Sequence, residues 1–243
     1  MGTRERRQRE VAEREDLFLD AALDLIRQDG LLNLQMARIA EKCEYAVGTL
    51  YLHFASKEDL LLALVTRVFR DYIELVRRAE AWQAPSRDRM FAVGVADMVF
   101  AKRYPDYYRV AQYSLCEVVW QAASTPRRQA FLEANDPLVE IVAGIVEEAR
   151  RGGDLDPAGQ TAQDMAVGVW ALCGGFHQLA HAEGVLQDFS VTDPYLLMCR
   201  HLQGLLDGFR WRPMSDPTNA SALHALIERV RREVFDEPTD GND

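Results

Sequence analysis

Two short apolar repeats on either side of a tight turn constrain this chain more than any other feature. Ile39, Ala40 and Cys43 fall at helical spacing and leave Arg38, Glu41 and Lys42 to water; after a turn at 44–46, Leu50 and Phe54 repeat that face four residues apart. Helices joined by so short a turn cross steeply, and the second projects from the body far enough to enter a major groove. Thr49, Tyr51 and His53 are predicted to face outward, with groups suited to phosphate oxygens and base edges, while Leu50 and Phe54 face the core.

Gly48-Thr49-Leu50-Tyr51, His53-Phe54 and Ser56-Lys57-Glu58, preceded by Ile39-Ala40-Glu41, resemble the DNA-binding domain of the tetracycline-repressor (TetR) family over roughly residues 14 to 66. The resemblance implies a helix-turn-helix that reads double-stranded operator DNA, with Gln35, Arg38, Tyr45, Ala46, Val47, Thr49, Tyr51, His53 and Lys57 as the contacting residues. Four positions depart from the family pattern: Glu44 stands where the turn often has Gly, Ala46 where Ser or Thr often caps the recognition helix, Ala37 where some relatives have a base-reading Arg, and Val47 where the residue is often polar. Readout is then expected to lean on Thr49, on apolar contact of Ala46 and Val47 with thymine methyls, and on DNA shape.

With 243 residues and 48% hydrophobic content the chain can bury a substantial core. No apolar run reaches membrane-spanning length and the N-terminus lacks an apolar signal region, so a cytoplasmic protein is expected. Cys43, Cys116, Cys173 and Cys199 show no redox or zinc-finger spacing. A formal net charge of -10 argues against unselective nucleic-acid coating but leaves room for a localised DNA face. Arg4, Arg6, Arg7 and Arg9, against Glu5 and Glu10, read either as an arm along the phosphate backbone or as a disordered solvated tail.

Helical periodicity runs through the whole chain, and the fold class is all-α. A first helix is expected from about Glu10 to Asp29, with Phe18, Ala22, Leu25 and Ile26 as its stripe and Gly30 as its stop. Asn33 or Gln35 is the nearest cap for the second helix. Ser56 with Asp59 opens a fourth helix long enough to join two domains. Four Asp-Pro pairs, at 136, 156, 193 and 216, predict three or four helix starts, with Pro137 alternatively kinking one helix from Pro126 to Arg151. A last helix spans Ala220 to Phe235. The expected division is an arm and helix-turn-helix domain at 1–56, a helical effector and dimerisation domain at 57–236, and a disordered tail at 237–243.

Aromatic residues concentrate between Phe91 and Trp120. Either they fill a core, or they line the effector pocket that the resemblance puts in this region, suited to a mostly apolar small molecule. The candidate lining is Phe100, Tyr104, Tyr107, Tyr108, Tyr113, Glu117, Trp120 and His177, with Trp170 added because with Gly174-Gly175 it resembles a Trp and Gly pattern of some relatives, whose His is Gly174 here. Small residues on the later helices, among them Gly168, Gly174, Gly204 and Gly208, suit close helix approach, and the resemblance implies a four-helix dimer seam there. Cys173, His177 and His181 share a face at a metal-compatible interval, but the same interval serves packing, and no metal or other cofactor is expected. No nucleophile elbow, phosphate-cradling loop or acid and base pair marks an enzyme.

The expected protein is a homodimeric repressor that binds a pseudo-palindromic operator and is released by a small-molecule effector. The alternatives are a ligand-binding or protein-interaction dimer without DNA binding, and a ligand-dependent activator.

Overall fold

A computed structural model describes residues 2–156, 158–216 and 218–237. Among them are twelve α-helices, one turn of 3-10 helix and no strand: α1 (Thr3–Asp29), α2 (Met36–Lys42), α3 (Val47–Tyr51), α4 (Lys57–Ala81), α5 (Ser86–Arg103), α6 (Pro105–Ser114), α7 (Glu117–Ala122), α8 (Thr125–Gly152), α9 (Ala162–His181), α10 (Val185–Asp188), α11 (Pro194–Gly208) and α12 (Ala220–Phe235). The chain folds into two compact units, one of residues 1–69 with 104–134 and the other of 70–103 with 135 onward. This grouping differs from the expected 1–56 and 57–236, because α6, α7 and the start of α8 pack with the helix-turn-helix.

In the first unit the predicted stripes close on one another. Phe18, Ala22, Leu25 and Ile26 of α1, Ile39 and Ala40 of α2, and Leu50 and Phe54 form one buried cluster with Leu60, Leu61 and Leu64 of α4. Ser56 caps α4 as expected, its hydroxyl accepting from the Asp59 amide at 3.1 Å. The buried Asp59 carboxylate does not reciprocate on Ser56 but accepts from the Ser124 amide at 2.6 Å, tying the start of α8 to the start of α4. Arg27 and Asp106 pair at 2.9 Å and fasten α6 to the end of α1.

Helix α1 begins at Thr3, not near Glu10, because nothing in the arm breaks a helix and Glu5 accepts from the Gly2 amide at 3.1 Å. Of the four Asp-Pro pairs only Asp193-Pro194 starts a helix, with the Asp193 carboxylate on the Leu196 amide at 2.9 Å. Pro137 lies within α8. Asp156 and Asp216 bend the chain locally, accepting from the amides two residues on, Ala158 at 3.3 Å and Thr218 at 2.9 Å; α9 is capped instead by Thr161 and α12 by Asn219. The tail beyond Glu237 lies outside the described residues.

The turn after α2 shows what Glu44 does. Tyr45 N–H donates to the Ala40 carbonyl at 2.9 Å and Glu44 N–H to the Glu41 carbonyl at 3.0 Å, the paired bonds of a Schellman stop. That stop needs a left-handed residue, and Glu44 takes it at φ 59°. Substituting Glu44→Gly is expected to raise unfolding free energy by up to about 1 kcal/mol, the left-handed strain released less the extra chain entropy of glycine. Urea denaturation checks this, and a loss of stability would show the Glu44 side chain to be holding the turn.

Candidate nucleic-acid interface and a buried polar cluster

Helix α3 is only five residues long, and burial of its inner face fixes its orientation. Leu50 and Phe54 are fully buried, while Val47 is 43%, Tyr51 49% and Leu52 86% exposed. Gln35, Arg38, Ala46 and Gly48 are also exposed, and Thr49 and Lys57 are half-buried at the margins. Gln35 stands at the start of α2 without a side-chain cap. Arg38 pairs with Asp29 at 2.7 Å with about half of its side chain still in water. All of these residues belong to the first unit.

His53 departs from expectation. Its ring lies edge-on to Phe18 at 5.5 Å, and burial lowers its pKa, which disfavours the cation that a phosphate would attract. Tyr45 is likewise anchored, edge-on to Phe18 at 5.4 Å, with the Arg14 guanidinium over its ring at 5.4 Å. Sequence reading missed Leu52, the most exposed large apolar residue at the motif, and Arg127. From the first turn of α8, Arg127 donates to the His53 carbonyl at 2.9 Å, pairs with Glu15 and lies over the Phe54 ring at 5.0 Å. No local pattern marks it, since its partners are 74 and 112 residues away in sequence.

The proposed effector residues do not form one site within either unit. Tyr104, Tyr107, Tyr108, Tyr113, Glu117 and Trp120 fall in the first unit. There Tyr107, Tyr113 and Trp120 pack against the motif's own core, and Trp120 meets Phe131 edge-on at 5.7 Å. Tyr104 and Tyr107 meet at 6.2 Å, Tyr108 is buried, and Glu117 is exposed and accepts from Gln121 at 3.1 Å. Phe100, Trp170 and His177 fall in the second unit, where Trp170 is 62% exposed and His177 is fully buried on different faces of α9.

His177 is the centre of a polar cluster that sequence reading only touched. Its Nε2 lies 2.8 Å from Asp97 Oδ2, and its ring stands 5.3 Å from that of Tyr195. Tyr72 adjoins Phe100 at 5.4 Å, and burial together with the Asp97 carboxylate pushes its phenol well above the ordinary range. Lys102 sits over the Tyr195 ring at 5.2 Å. Asp97 was the available signal, a carboxylate in the otherwise apolar run Met90–Ala101. Cys173 is buried beside this cluster, but His181 is exposed and turns its Nδ1 to the His177 carbonyl at 2.8 Å; the described residues hold no metal-binding group of three or more.

A short helix held by two buried anchors, with its outer face exposed after a tight turn, defines a helix-turn-helix DNA-binding protein. A family model described as "Bacterial regulatory proteins, tetR family" matches residues 18–64. The fatty acid metabolism regulator protein of Bacillus subtilis (strain 168) is 31% identical over 138 residues, 57% of this chain and 69% of that protein. The HTH-type transcriptional repressor KstR of Rhodococcus jostii is 44% identical over 57 residues, 24% of this chain and 27% of that protein. Among solved structures, Bacillus subtilis FadR in complex with stearoyl-CoA superposes with a TM-score of 0.60 at 21% identity, covering 79% of this chain and 97% of that one. A tetR-family regulatory protein from Rhodococcus RHA1 gives 0.61 at 18% identity, covering 83% and 98%. The chain belongs to the tetR family of bacterial regulatory proteins and is a DNA-binding transcriptional regulator.

Gly48 supplies a test of how closely DNA approaches. A methyl group there would touch no atom of the chain within 4 Å, so internal packing does not require glycine. Gly48→Ala is expected to stabilise the protein by about 0.5–1 kcal/mol through helix propensity, yet to weaken operator binding where backbone meets backbone. Thermal melting and titration of a selected operator read the two effects separately; unchanged affinity would place the DNA backbone elsewhere. Tyr51→Ala, at a half-exposed position, is expected to leave the melting temperature unchanged and cost at least tenfold in operator affinity, and parental affinity would overturn the orientation given to α3.

Proposed function

We propose that this protein is a repressor that binds a pseudo-palindromic operator as a homodimer and is released by a mostly apolar small molecule. The observation that carries the reading is the contrast on α3: Leu50 and Phe54 fully buried, Val47, Tyr51 and Leu52 turned to water. The contacting set is Gln35, Arg38, Tyr45, Ala46, Val47, Thr49, Tyr51 and Lys57, joined by Leu52; His53 acts through packing on Phe18. Residues 1–56, with Lys57 at the start of α4, supply the DNA contacts, and 57–236 otherwise serve sensing and dimerisation. The regulator is cytoplasmic and has no catalytic activity. The described residues include no helix long and apolar enough to cross a membrane, and the relatives compared are regulators by name.

For the effector, the relative named for fatty acid metabolism and the neighbour solved with stearoyl-CoA support an acyl-chain ligand as the first class to test. Phe100 would meet its apolar part and the cluster of Asp97, His177, Tyr72 and Tyr195 a polar group. Release follows only if the ligand binds the DNA-competent and incompetent states differently.

Dimerisation rests on α9 and α11. Val167 and Trp170 are 57% and 62% exposed, and methyls at Gly174, Gly204 and Gly208 would meet nothing in the chain within 4 Å. An exposed Trp flanked by small residues suits close approach of a second copy. This use replaces the effector role expected for Trp170. Trp170→Asp is expected to yield monomers in sedimentation velocity and at least a hundredfold weaker operator binding, whereas an intact dimer would remove Trp170 from the interface.

The reading as a whole is tested by selecting bound duplexes from a random pool and titrating the winner against salt. A palindromic winner with a steep salt slope is expected. Failure to enrich any sequence, with and without acyl thioesters present, would overturn operator binding.

A further inference from the structure

Residues 4–13 of α1 are exposed throughout, so this helix runs on beyond the core it helps to build. The buried face of α1 carries a stripe of Phe18, Ala22 and Leu25, flanked by Leu19, Ala21, Leu23 and Ile26. Traced toward the N-terminus at the same three- and four-residue steps, that stripe reads Arg14, Val11, Arg7 and Arg4. At roughly 3.6 residues per turn, Glu5, Glu13, Asp16 and Asp20 fall on the opposite side. The two carboxylates that flank the arginine side are both engaged, Glu15 with Arg127 and Glu10 with Arg6. Among the described residues Arg4 and Arg7 have no ion-pair partner, whereas Arg6, off the stripe, pairs with Glu10 at 2.8 Å. The chain as a whole is acidic, with a formal net charge of -10, so this segregation is a local feature against the general balance.

The stripe also has a direction. Arg14 lies over the ring of Tyr45, in the turn that leads into α3, so the arginine face opens on the same side as the recognition element. We infer that the N-terminal spur of α1 is a second DNA-contacting element, in which Arg4 and Arg7 bind duplex phosphates beyond the bases that α3 covers; this rests on the DNA-binding reading above. A rigid helix presenting point charges that its own chain leaves unneutralised suits an extended polyanion. From Arg14 to Arg4 the helix rises roughly 15 Å, or about four base pairs of duplex. The contacts are sequence-independent and add affinity and register rather than base choice.

The test compares the full-length parent with the double variants R4Q/R7Q and R6Q/R9Q on the operator selected by the parent. Each variant loses two positive charges per chain, but only the first loses them from the stripe. Both pairs are exposed, and circular dichroism should show unchanged helix content. For R4Q/R7Q the log–log dependence of affinity on salt should become shallower by about 3 to 4, from two contacts in each of two protomers at roughly 0.9 apiece. Its hydroxyl-radical footprint should shorten by about four base pairs per half-site, while R6Q/R9Q keeps the parental footprint and most of the slope. An unchanged slope for R4Q/R7Q, or equal loss in both variants, would overturn the inference while leaving the regulator reading intact. A parent that selects no operator would instead bring down the reading on which it rests.

Discussion

Burial of Leu50 and Phe54 against Phe18 and Ile39 is the interaction on which the rest of the structure depends. A five-residue helix cannot sustain itself in water, since helix nucleation is unfavourable and so few residues propagate little. α3 therefore exists because its inner face is bound to the core, and the strength of that attachment sets how firmly its outer face is aimed. The left-handed Glu44 belongs to the same constraint: the stop it completes lets α2 end and α3 begin within a few residues, at a backbone cost that most turns of this kind avoid with glycine.

The same logic explains why the first unit extends past the helix-turn-helix. Asp59 receives the Ser124 amide, and Arg127 holds the His53 carbonyl and covers Phe54, so residues just before and within α8 grip both ends of the segment leaving α3. Arg127 has partners enough to offset its desolvation: a carbonyl, a carboxylate and an aromatic face. α4 and α8 each continue as unbroken helix from the first unit into the second, so the proposed effector response would have two covalent routes to the residues that position α3.

The first unit was the most legible in the sequence, because its interactions are local and periodic: the stripes of α1, α2 and α3 recur at three and four residues, and every member expected to be buried is buried except the half-exposed Cys43. At the candidate site, outward orientation was legible from that periodicity at Tyr51. It failed at His53, whose place after the last turn of α3 follows Phe18 instead of the helical phase. Asp-Pro pairs misled because a carboxylate satisfies the amide two residues on as readily as a helix start, and only Asp193 had a helix to begin. Aromatic density could not separate core from pocket: Trp120 and Tyr113 serve the first unit, Phe100 the second, and the chain changes unit between them. Arg127 and Asp97 act through partners far away in sequence, where no spacing rule reaches.

Two buried polar clusters in the second unit differ in how firmly their partners are fixed. Arg87 of α5 donates to the Trp211 carbonyl at 2.6 Å and the Gln203 side chain at 2.6 Å, and pairs with Asp207 at 2.8 Å. Ser215 supplies further donors to Asp207. Charge and hydrogen-bonding capacity are matched there, and breaking any member strands the others, so the cluster locks the segment after α11 onto α5. Asp97, on the same helix, is differently placed: its neighbours His177, Tyr72 and Tyr195 can each exchange donor and acceptor roles without leaving their positions. A cluster of that kind tolerates a new hydrogen-bonding group where the Arg87 knot would not. Packing at the same crossing is close, since a methyl on Gly94 would come 2.3 Å from a Leu202 methyl, so the proposed effector, entering there, would have to move α9 or α11 relative to α5. Such a displacement would be the differential interaction that the proposed release needs, because a ligand that fitted without moving anything would bind both states alike and release nothing.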